Sequence, residues 1–185
     1  MNSEHYISVD VEASGPVPGD YSLLAVGACS VLTPDKTFYR ELKPITMAYE
    51  PAALRVSGFS LDRLAVDGED PASAMSAFEF WIGEVAVDAD PVMVGFNASF
   101  DWSFVNWYFV HFGRRNPFGI GAVDIKSYFM GFAGSSWKAT RSSLLPTQYR
   151  PQPSQRHNAL DDAVAQAQVF QTMLRDSRER SERLG

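Results

Sequence analysis

The sequence contains one cysteine, Cys29, and no long apolar run. A single cysteine excludes a disulfide within the chain, and its apolar neighbours predict a buried, inert thiol. No stretch approaches the ~18 consecutive apolar residues that a membrane-spanning helix needs. The first residues, Met1 to His5, are polar and do not resemble a signal peptide. We therefore expect a cytoplasmic protein without a membrane partner.

Length and composition exclude disorder and leave little room for a second domain. The chain has 185 residues, of which 45% are hydrophobic and 21% are charged. Both fractions are close to those of soluble globular proteins, and the length fits one domain of ordinary size. We find no internal repeat and no linker in the sequence.

The net charge of −6 is unevenly distributed along the chain. Positions 62–90 hold eight acidic residues against one basic residue, whereas positions 102–156 hold seven basic residues against one acidic residue. An acidic protein is not an obvious partner of nucleic acid, but a basic flank is compatible with a polyanion bound at one site. The alternative is that both segments are simply solvated surface.

Hydrophobic periodicity predicts strands in the first part of the chain and alternating helices and strands after it. The predicted strands are 6–11, 23–32, 37–42, 92–94 and 121–125, and the predicted helices are 51–56, 60–65, one from Pro71, one capped by Ser99, one from Lys126 and one capped by Asn158. The segment 131–154 is predicted to be rich in loops, and the charged tail from Arg175 is predicted to fray. This order predicts one α/β domain with an antiparallel three-stranded meander in a mixed sheet.

Two acidic residues of the first strand lie where ionised groups are unfavourable. Asp10 and Glu12 are two residues apart, so they point to the same face of a strand that should be central. Repulsion and lost hydration require compensation, and a divalent cation such as Mg²⁺ or Mn²⁺ suits these oxygen ligands. The alternative is that Asp10 caps the following turn and Glu12 is exposed.

Two other segments add acidic residues near helix N-termini. Asp101 falls in the first turn of an aromatic helix, and Asp162 lies near the start of the last helix. His157 precedes that helix, whose positive end keeps the imidazole neutral and able to accept a proton. Taken separately, each residue also has an ordinary structural interpretation, as a helix-dipole partner or a structural histidine.

Together these patterns resemble the DEDDh 3′–5′ exonuclease family. They are Asp-x-Glu on the first strand, Asn-x-x-x-Asp at positions 97–101 and His-x-Ala-x-x-Asp at positions 157–162. A Pro-x-Ala-x-x-x-Ser-Gly segment at 51–58 extends the resemblance, which covers about residues 6–174. The resemblance implies a ribonuclease H-like fold, with a mixed sheet and helices on both faces. It also implies an exonuclease domain at 1–174, followed by the charged tail 175–185.

The resemblance assigns metal binding to four carboxylates and general-base catalysis to one histidine. Asp10, Glu12, Asp101 and Asp162 would hold two Mg²⁺ or Mn²⁺ ions, and His157 would accept a proton from the attacking water. Such an enzyme removes nucleoside 5′-monophosphates from the 3′ end of single-stranded RNA or DNA. The residues expected to contact substrate are Ala13, Ser14, Asn97 and Trp102.

Other functions stay open from the sequence alone. A relative of the fold could bind nucleic acid or protein without cleaving it, although all five chemical positions are present. The chain could also be the proofreading subunit of a polymerase assembly. Endonucleolytic ribonuclease H activity is disfavoured, because the histidine five residues before the last acid indicates the exonuclease branch. A homodimer through helix 100–112 and loop 131–154 is a further possibility.

Overall fold

The computed structural model describes residues 3–151 and 158–184. No helix within these two ranges combines the length and the apolar character needed to cross a bilayer. The predicted general base, His157, lies outside the described residues, so the structure does not test its role.

Five strands form one mixed sheet in the order β3-β2-β1-β4-β5. The strands are β1 (Ser3–Ala13), β2 (Leu23–Ser30), β3 (Thr37–Glu41), β4 (Ala89–Gly95) and β5 (Val123–Asp124). The first three pair antiparallel, whereas β4 pairs parallel to both β1 and β5. The predicted meander and the mixed α/β sheet are confirmed, and β1 is the central strand.

Six α-helices accompany the sheet within the described ranges. They are α1 (Pro51–Ser57), α2 (Leu61–Asp67), α3 (Pro71–Val85), α4 (Ala98–His111), α5 (Ile125–Ala133) and α6 (Ala159–Leu184). The predicted loop-rich segment contains three short 3₁₀ helices, Trp137–Thr140, Ser142–Leu144 and Thr147–Tyr149.

Helices cover both faces of the sheet and create two apolar cores. Ile7, Val9 and Val11 of β1 contribute to the first core, together with side chains of α3 and α4. The second core contains side chains of β2, β4, α5 and α6, and Tyr6 of β1 packs against it. Alternate residues of a strand point to opposite faces, so Asp10 and Glu12 lie on the face that α6 covers.

The structure places the start of α4 differently from the sequence prediction. The residue before the helix is Asn97, not Ser99, and its φ of 55° lies in the left-handed region that asparagine tolerates better than most residues. This conformation turns β4 into α4 with almost no intervening loop. Serine is a good helix cap by local preference, but here the turn out of the sheet decides where the helix begins.

The prediction of a frayed tail from Arg175 is wrong, because α6 continues to Leu184. The hydroxyl of Tyr149 donates to Asp176 Oδ2 at 2.6 Å, and Arg180 donates to the Phe132 carbonyl oxygen at 2.9 Å. The Arg180 guanidinium also lies 4.2 Å from the centre of the Phe132 ring. These contacts join the helix to α5 and to the segment that follows it, and arginine and glutamate are good helix formers themselves.

Candidate active site

The end of β1 brings its acidic residues to an open position in the sheet. Parallel pairing with β4 ends at Ser8 and Val94, whereas β1 continues to Ala13. Beyond that point the backbone N–H of Val11 donates to Asp101 Oδ1 at 3.0 Å. Asp101 of α4 therefore takes a hydrogen-bonding position beside β1 that β4 does not occupy. Its partner, Val11, stands between Asp10 and Glu12 in the strand.

A glycine allows α6 to approach β2 closely at the same place. Gly27 pairs with Asp10 across the antiparallel ladder, and a Cβ atom on Gly27 would lie only 2.2 Å from the carbonyl carbon of Ala159. No side chain other than hydrogen fits this contact. The first turn of α6 is thus held against β2, which brings Asp162 to the neighbourhood of Asp10.

The predicted cap of α6 is confirmed. Asn158 Oδ1 accepts from the backbone N–H groups of Leu160 at 2.9 Å and Asp161 at 3.4 Å. These contacts satisfy two N–H groups that a helix start leaves without partners. Asp161 is exposed, whereas Asp162 is partly buried on the side of the sheet. Two adjacent aspartates therefore occupy different environments.

Three carboxylates converge at this point. Asp10, Glu12 and Asp162 each offer an oxygen atom, and these atoms all lie within 4.8 Å of one another. Hard carboxylate oxygens in such a cluster fit a divalent cation such as Mg²⁺ or Mn²⁺. Asp101 is only 4% exposed and is close enough for its charge to act on Asp10. The structure therefore brings together all four acidic residues that the sequence singled out.

Burial and neighbouring negative charges disfavour the ionised forms of Asp10 and Asp101. Burial raises the pKa of Asp10 well above its ordinary value, and the charges of Asp101, Asp162 and Glu12 raise it further. Burial also raises the pKa of Asp101 to about 7, although the hydrogen bond from Val11 opposes that change. A bound cation would reverse both effects, because it favours the ionised carboxylates.

Gln166 is a site residue that the sequence analysis missed. Its Nε2 donates to Asp10 Oδ1 at 2.6 Å, and its Oε1 accepts from the Phe96 N–H at 2.8 Å. Because the backbone donor fixes the orientation of the amide, the NH₂ end must face Asp10. The available clue was its position four residues after Asp162, on the same side of a helix. Periodicity cannot show what such a glutamine contacts.

Of the predicted substrate residues, Asn97 lies beside the carboxylates and Trp102 lines a neighbouring cavity. Asn97 lines a cavity of about 510 Å³ together with Asp10 and Asp162, and its Oδ1 accepts from Lys126 Nζ at 2.8 Å. Trp102 instead lines a second cavity of about 570 Å³, which Asn97 also borders. Asn97 therefore joins the two cavities.

Trp102 lies off the helical stripe of Phe100, Phe104 and Trp107, which predicts that it is more exposed than both Phe100 and Phe104, but this prediction is wrong. Phe100 is 39% exposed, Phe104 is fully buried, and Trp102 is partly buried against the first core. The reason is that Trp102 faces the wall of the second cavity, where Ala122 also packs. The spacing of residues within α4 could not predict this burial, because Ala122 belongs to a different segment that follows the helix.

Ser14 and Ala13 are placed less favourably for substrate contact. Ser14 is fully buried, its N–H donates to the Ser22 carbonyl oxygen at 2.8 Å, and its hydroxyl donates to the Ala48 carbonyl oxygen at 2.8 Å. Ala13 is 8% exposed. The N–H group and the hydroxyl of Ser14 therefore already have partners within the protein. Contact of Ala13 and Ser14 with a terminal sugar stays a prediction.

Comparisons with known proteins agree with this geometry. The chain matches no protein-family model. It is 49% identical over 170 residues to a protein of Escherichia coli named 3′-5′ DNA exonuclease Cap18, and the match covers 91% of each chain. Identity at this level over nearly the whole of both chains shows common family membership.

Solved structures show the same fold. The nuclease domain of 3′hExo, described as a DEDDh family member bound to rAMP, superimposes with a TM-score of 0.75 at 14% identity, covering 93% of this chain and 92% of that chain. Exonuclease I of E. coli, in complex with a dT13 oligonucleotide, superimposes with a TM-score of 0.74 at 15% identity. That match covers 98% of this chain and 43% of the other.

The relative, the fold and the carboxylate cluster lead to one conclusion about the class of enzyme. The protein is a nuclease with 3′–5′ exonuclease activity on nucleic acid, of a kind that uses divalent metal ions. The chain belongs to the DEDDh 3′–5′ exonuclease family.

Proposed function

We propose that this exonuclease hydrolyses single-stranded DNA from the 3′ end and releases nucleoside 5′-monophosphates. The observation that carries the proposal is the convergence of Asp10, Glu12 and Asp162 within 4.8 Å at the end of β1. DNA is favoured over RNA as the substrate because the relative at 49% identity is named a DNA exonuclease. RNA remains the substrate against which DNA is compared in the test.

The donor set fits two divalent ions held by Asp10, Glu12, Asp101 and Asp162. When bound there, two such ions would supply an activated water and positive charge for the attacking and leaving oxygens of an in-line displacement. Support for this assignment comes from the raised pKa values of Asp10 and Asp101, because burial and neighbouring negative charges disfavour their ionised forms and a bound cation would favour them.

The chain's own residues orient the carboxylates and receive the proton. Gln166 engages Oδ1 of Asp10, which keeps the other carboxylate oxygen available as a ligand. The Val11 N–H orients Asp101 in the same way. His157, which directly precedes the α6 cap Asn158 in the sequence, would accept the proton of the attacking water, because the positive end of a helix favours the neutral form of a neighbouring imidazole.

The test uses 5′-labelled DNA and RNA oligonucleotides of identical sequence, incubated with Mg²⁺, with Mn²⁺ or with EDTA. We expect the DNA to shorten from its 3′ end only when metal is present, and faster than the RNA. Asp162→Asn should abolish this shortening, whereas Asp161→Asn should retain it, because Asp161 is exposed and outside the cluster. Intact DNA with the native protein and metal would overturn the proposal, and faster loss of RNA would overturn the choice of DNA.

The role of His157 has its own test. His157→Ala should slow hydrolysis at neutral pH by about 10²–10⁴-fold, the usual contribution of a general base. Binding of Mn²⁺, measured by its electron paramagnetic resonance signal, should persist in the same variant. A variant that cleaves at the native rate would remove the histidine from the mechanism.

Two expectations from the sequence stay predictions. A homodimer would show twice the chain mass in light scattering at low salt. A cytoplasmic location would be shown by fractionation of cells that produce the protein at its native level.

A further inference from the structure

A continuous surface runs from the carboxylates to an exposed tryptophan. Asn97 borders both the cavity that contains Asp10 and the neighbouring cavity lined by Trp102 and Trp137. Lys126 lines the first cavity, and its Nζ lies 4.2 Å from the centre of the Trp137 ring in the second. We call the surface formed by Asn97, Trp102, Lys126, Trp137 and Arg141 the aromatic groove.

Trp137 presents a large ring to solvent from a well-held backbone. It begins a short 3₁₀ helix, where the Thr140 hydroxyl donates to the Trp137 carbonyl oxygen at 2.7 Å. The residue is nevertheless 53% exposed. An exposed indole on an ordered turn offers a flat surface on which a nucleic-acid base can stack.

Two cations line the cavity that contains the carboxylates of Asp10 and Asp162. Arg141 lines the cavity that contains Asp162, is exposed, and forms no ion pair with any residue that the structure describes. The Lys126 ammonium donates to Asn97 and lies beside the Trp137 ring. An aromatic face with positive charges alongside it matches the alternation of bases and phosphates in a single strand.

Trp102 adds a polar group to the same surface. Its indole nitrogen, Nε1, is buried and has no hydrogen-bond partner within residues 3–151 and 158–184. A donor of this kind usually finds a partner, so the described residues leave one polar group unsatisfied in a side chain that lines the second cavity. This observation is independent of the charge and of the exposed ring of Trp137.

We propose that the aromatic groove binds the unpaired nucleotides on the 5′ side of the scissile phosphate, an inference that rests on the proposed function. One base stacks on Trp137, and the neighbouring phosphates contact Lys126 and Arg141. The occupant is a single strand rather than a duplex, because a base inside a duplex has both faces covered by its neighbours. The enzyme therefore holds its substrate through nucleotides that it has not yet removed.

The test measures the binding of 5′-labelled oligothymidylates of increasing length to the inactive Asp162→Asn protein, which does not cut the strand. Adding Trp137→Ala should weaken the binding of long strands by about 5- to 150-fold, the factor that corresponds to ~1–3 kcal/mol of stacking. Binding of thymidine 5′-monophosphate should not change, because it has no nucleotide on the 5′ side of a scissile phosphate. Trp137→Phe should retain most of the affinity. Phe80→Ala is the matched control, since Phe80 is 68% exposed on α3 and lines neither cavity.

The contribution of the cations has a separate readout. Lys126→Gln and Arg141→Gln should each reduce the slope of log affinity against log salt by about 0.7 for long strands, because each removes one phosphate contact. Phe80→Ala should leave that slope unchanged. Unchanged slopes in both charge variants would overturn the assignment of phosphates to these residues.

The outcomes separate this inference from the proposed function. Equal weakening at every length, or no weakening at any length, in Trp137→Ala would overturn the groove even if the native protein degrades DNA. Loss of affinity for long strands alone would support the groove even if the native protein failed to shorten DNA, since this assay requires no cleavage. Native-like degradation of long DNA at limiting concentration by Trp137→Ala would also count against the groove.

Discussion

Neutralising Asp101 should stabilise the metal-free protein and at the same time abolish its activity. Burial raises the pKa of this carboxyl from 3.8 to about 7. The folded protein therefore binds the proton more tightly than the unfolded chain, and the free energy of unfolding falls as the pH rises from about 4 to about 7. Above about pH 7 the ionised carboxylate lowers that free energy by roughly 4 kcal/mol, since one pKa unit corresponds to about 1.4 kcal/mol.

Asp101→Asn removes the charge and keeps an oxygen acceptor for the Val11 N–H. In EDTA above about pH 7, we expect the variant to be more stable than the native protein by up to roughly 4 kcal/mol. For a chain of this size that difference corresponds to a rise in Tm on the order of 10 °C. The difference should shrink to less than half near pH 5, because the native carboxyl is then protonated in the folded protein.

Urea unfolding at the two pH values measures this difference directly. Asp161→Asn is the matched control, because Asp161 is an exposed aspartate near the same site. Asp101→Ala should be about 1–3 kcal/mol less stable than Asp101→Asn, since it leaves the buried Val11 N–H without an acceptor. Mg²⁺ should stabilise the native protein more than Asp101→Asn. The reasoning fails if Asp101→Asn gives no stabilisation in EDTA above pH 7, or if the gain is the same at both pH values.

Three other perturbations test how the site is built. Gly27→Ala should destabilise the protein by about 1–3 kcal/mol or more and reduce activity, because its methyl group would collide with the first turn of α6. Gly83→Ala is the control: it has open space around its Cβ position inside α3 and should stabilise the protein by about 0.5–1 kcal/mol in the same unfolding assay. Gln166→Leu should reduce Mg²⁺ affinity or kcat about 10- to 100-fold, as the loss of a contact that orients a metal ligand usually does. Gln168 is exposed, so Gln168→Leu should change neither quantity when the nuclease rate is titrated with Mg²⁺. Removing residues 175–185 should lower the free energy of unfolding by about 1–3 kcal/mol, because the charged hydrogen bonds that join the end of α6 to its neighbours are lost. An unchanged free energy of unfolding would show that this segment does not stabilise the domain.

Local patterns were sufficient to predict most elements of the fold. The alternation of Ile7, Val9 and Val11 predicted β1, and Asn158 predicted the start of α6. Both depend on interactions between residues that are close in sequence, namely side-chain alternation and capping. The prediction was wrong where tertiary contacts override local preference, as at Asn97, which begins α4 with a left-handed turn, and at Arg180, which contacts Phe132 from a segment without apolar periodicity.

The candidate site was predictable in its residue types and in part of its geometry. The spacing of Asp10 and Glu12 required that both side chains lie on one face of a strand, and such a buried pair indicated a cation. The resemblance to a family added Asp101 and Asp162 from distant segments. The structure shows that Asp10, Glu12 and Asp162 converge at the end of β1 and that Asp101 accepts from Val11 of the same strand, although no local rule connects these segments.

The sequence by itself determined the α/β class, the central strand and the acidic residues available for metal binding, because side-chain period and capping are local properties. Only the tertiary structure decided which groups support those acids. Gln166 reaches Asp10 across 156 positions of the chain, and Asp101 reaches Val11 across 90. Gly27 permits this arrangement by letting α6 touch β2. Contacts at such separations depend on how the helices pack on the sheet. Hydrophobic periodicity shows which face of each element is buried, but not which residues that face contacts.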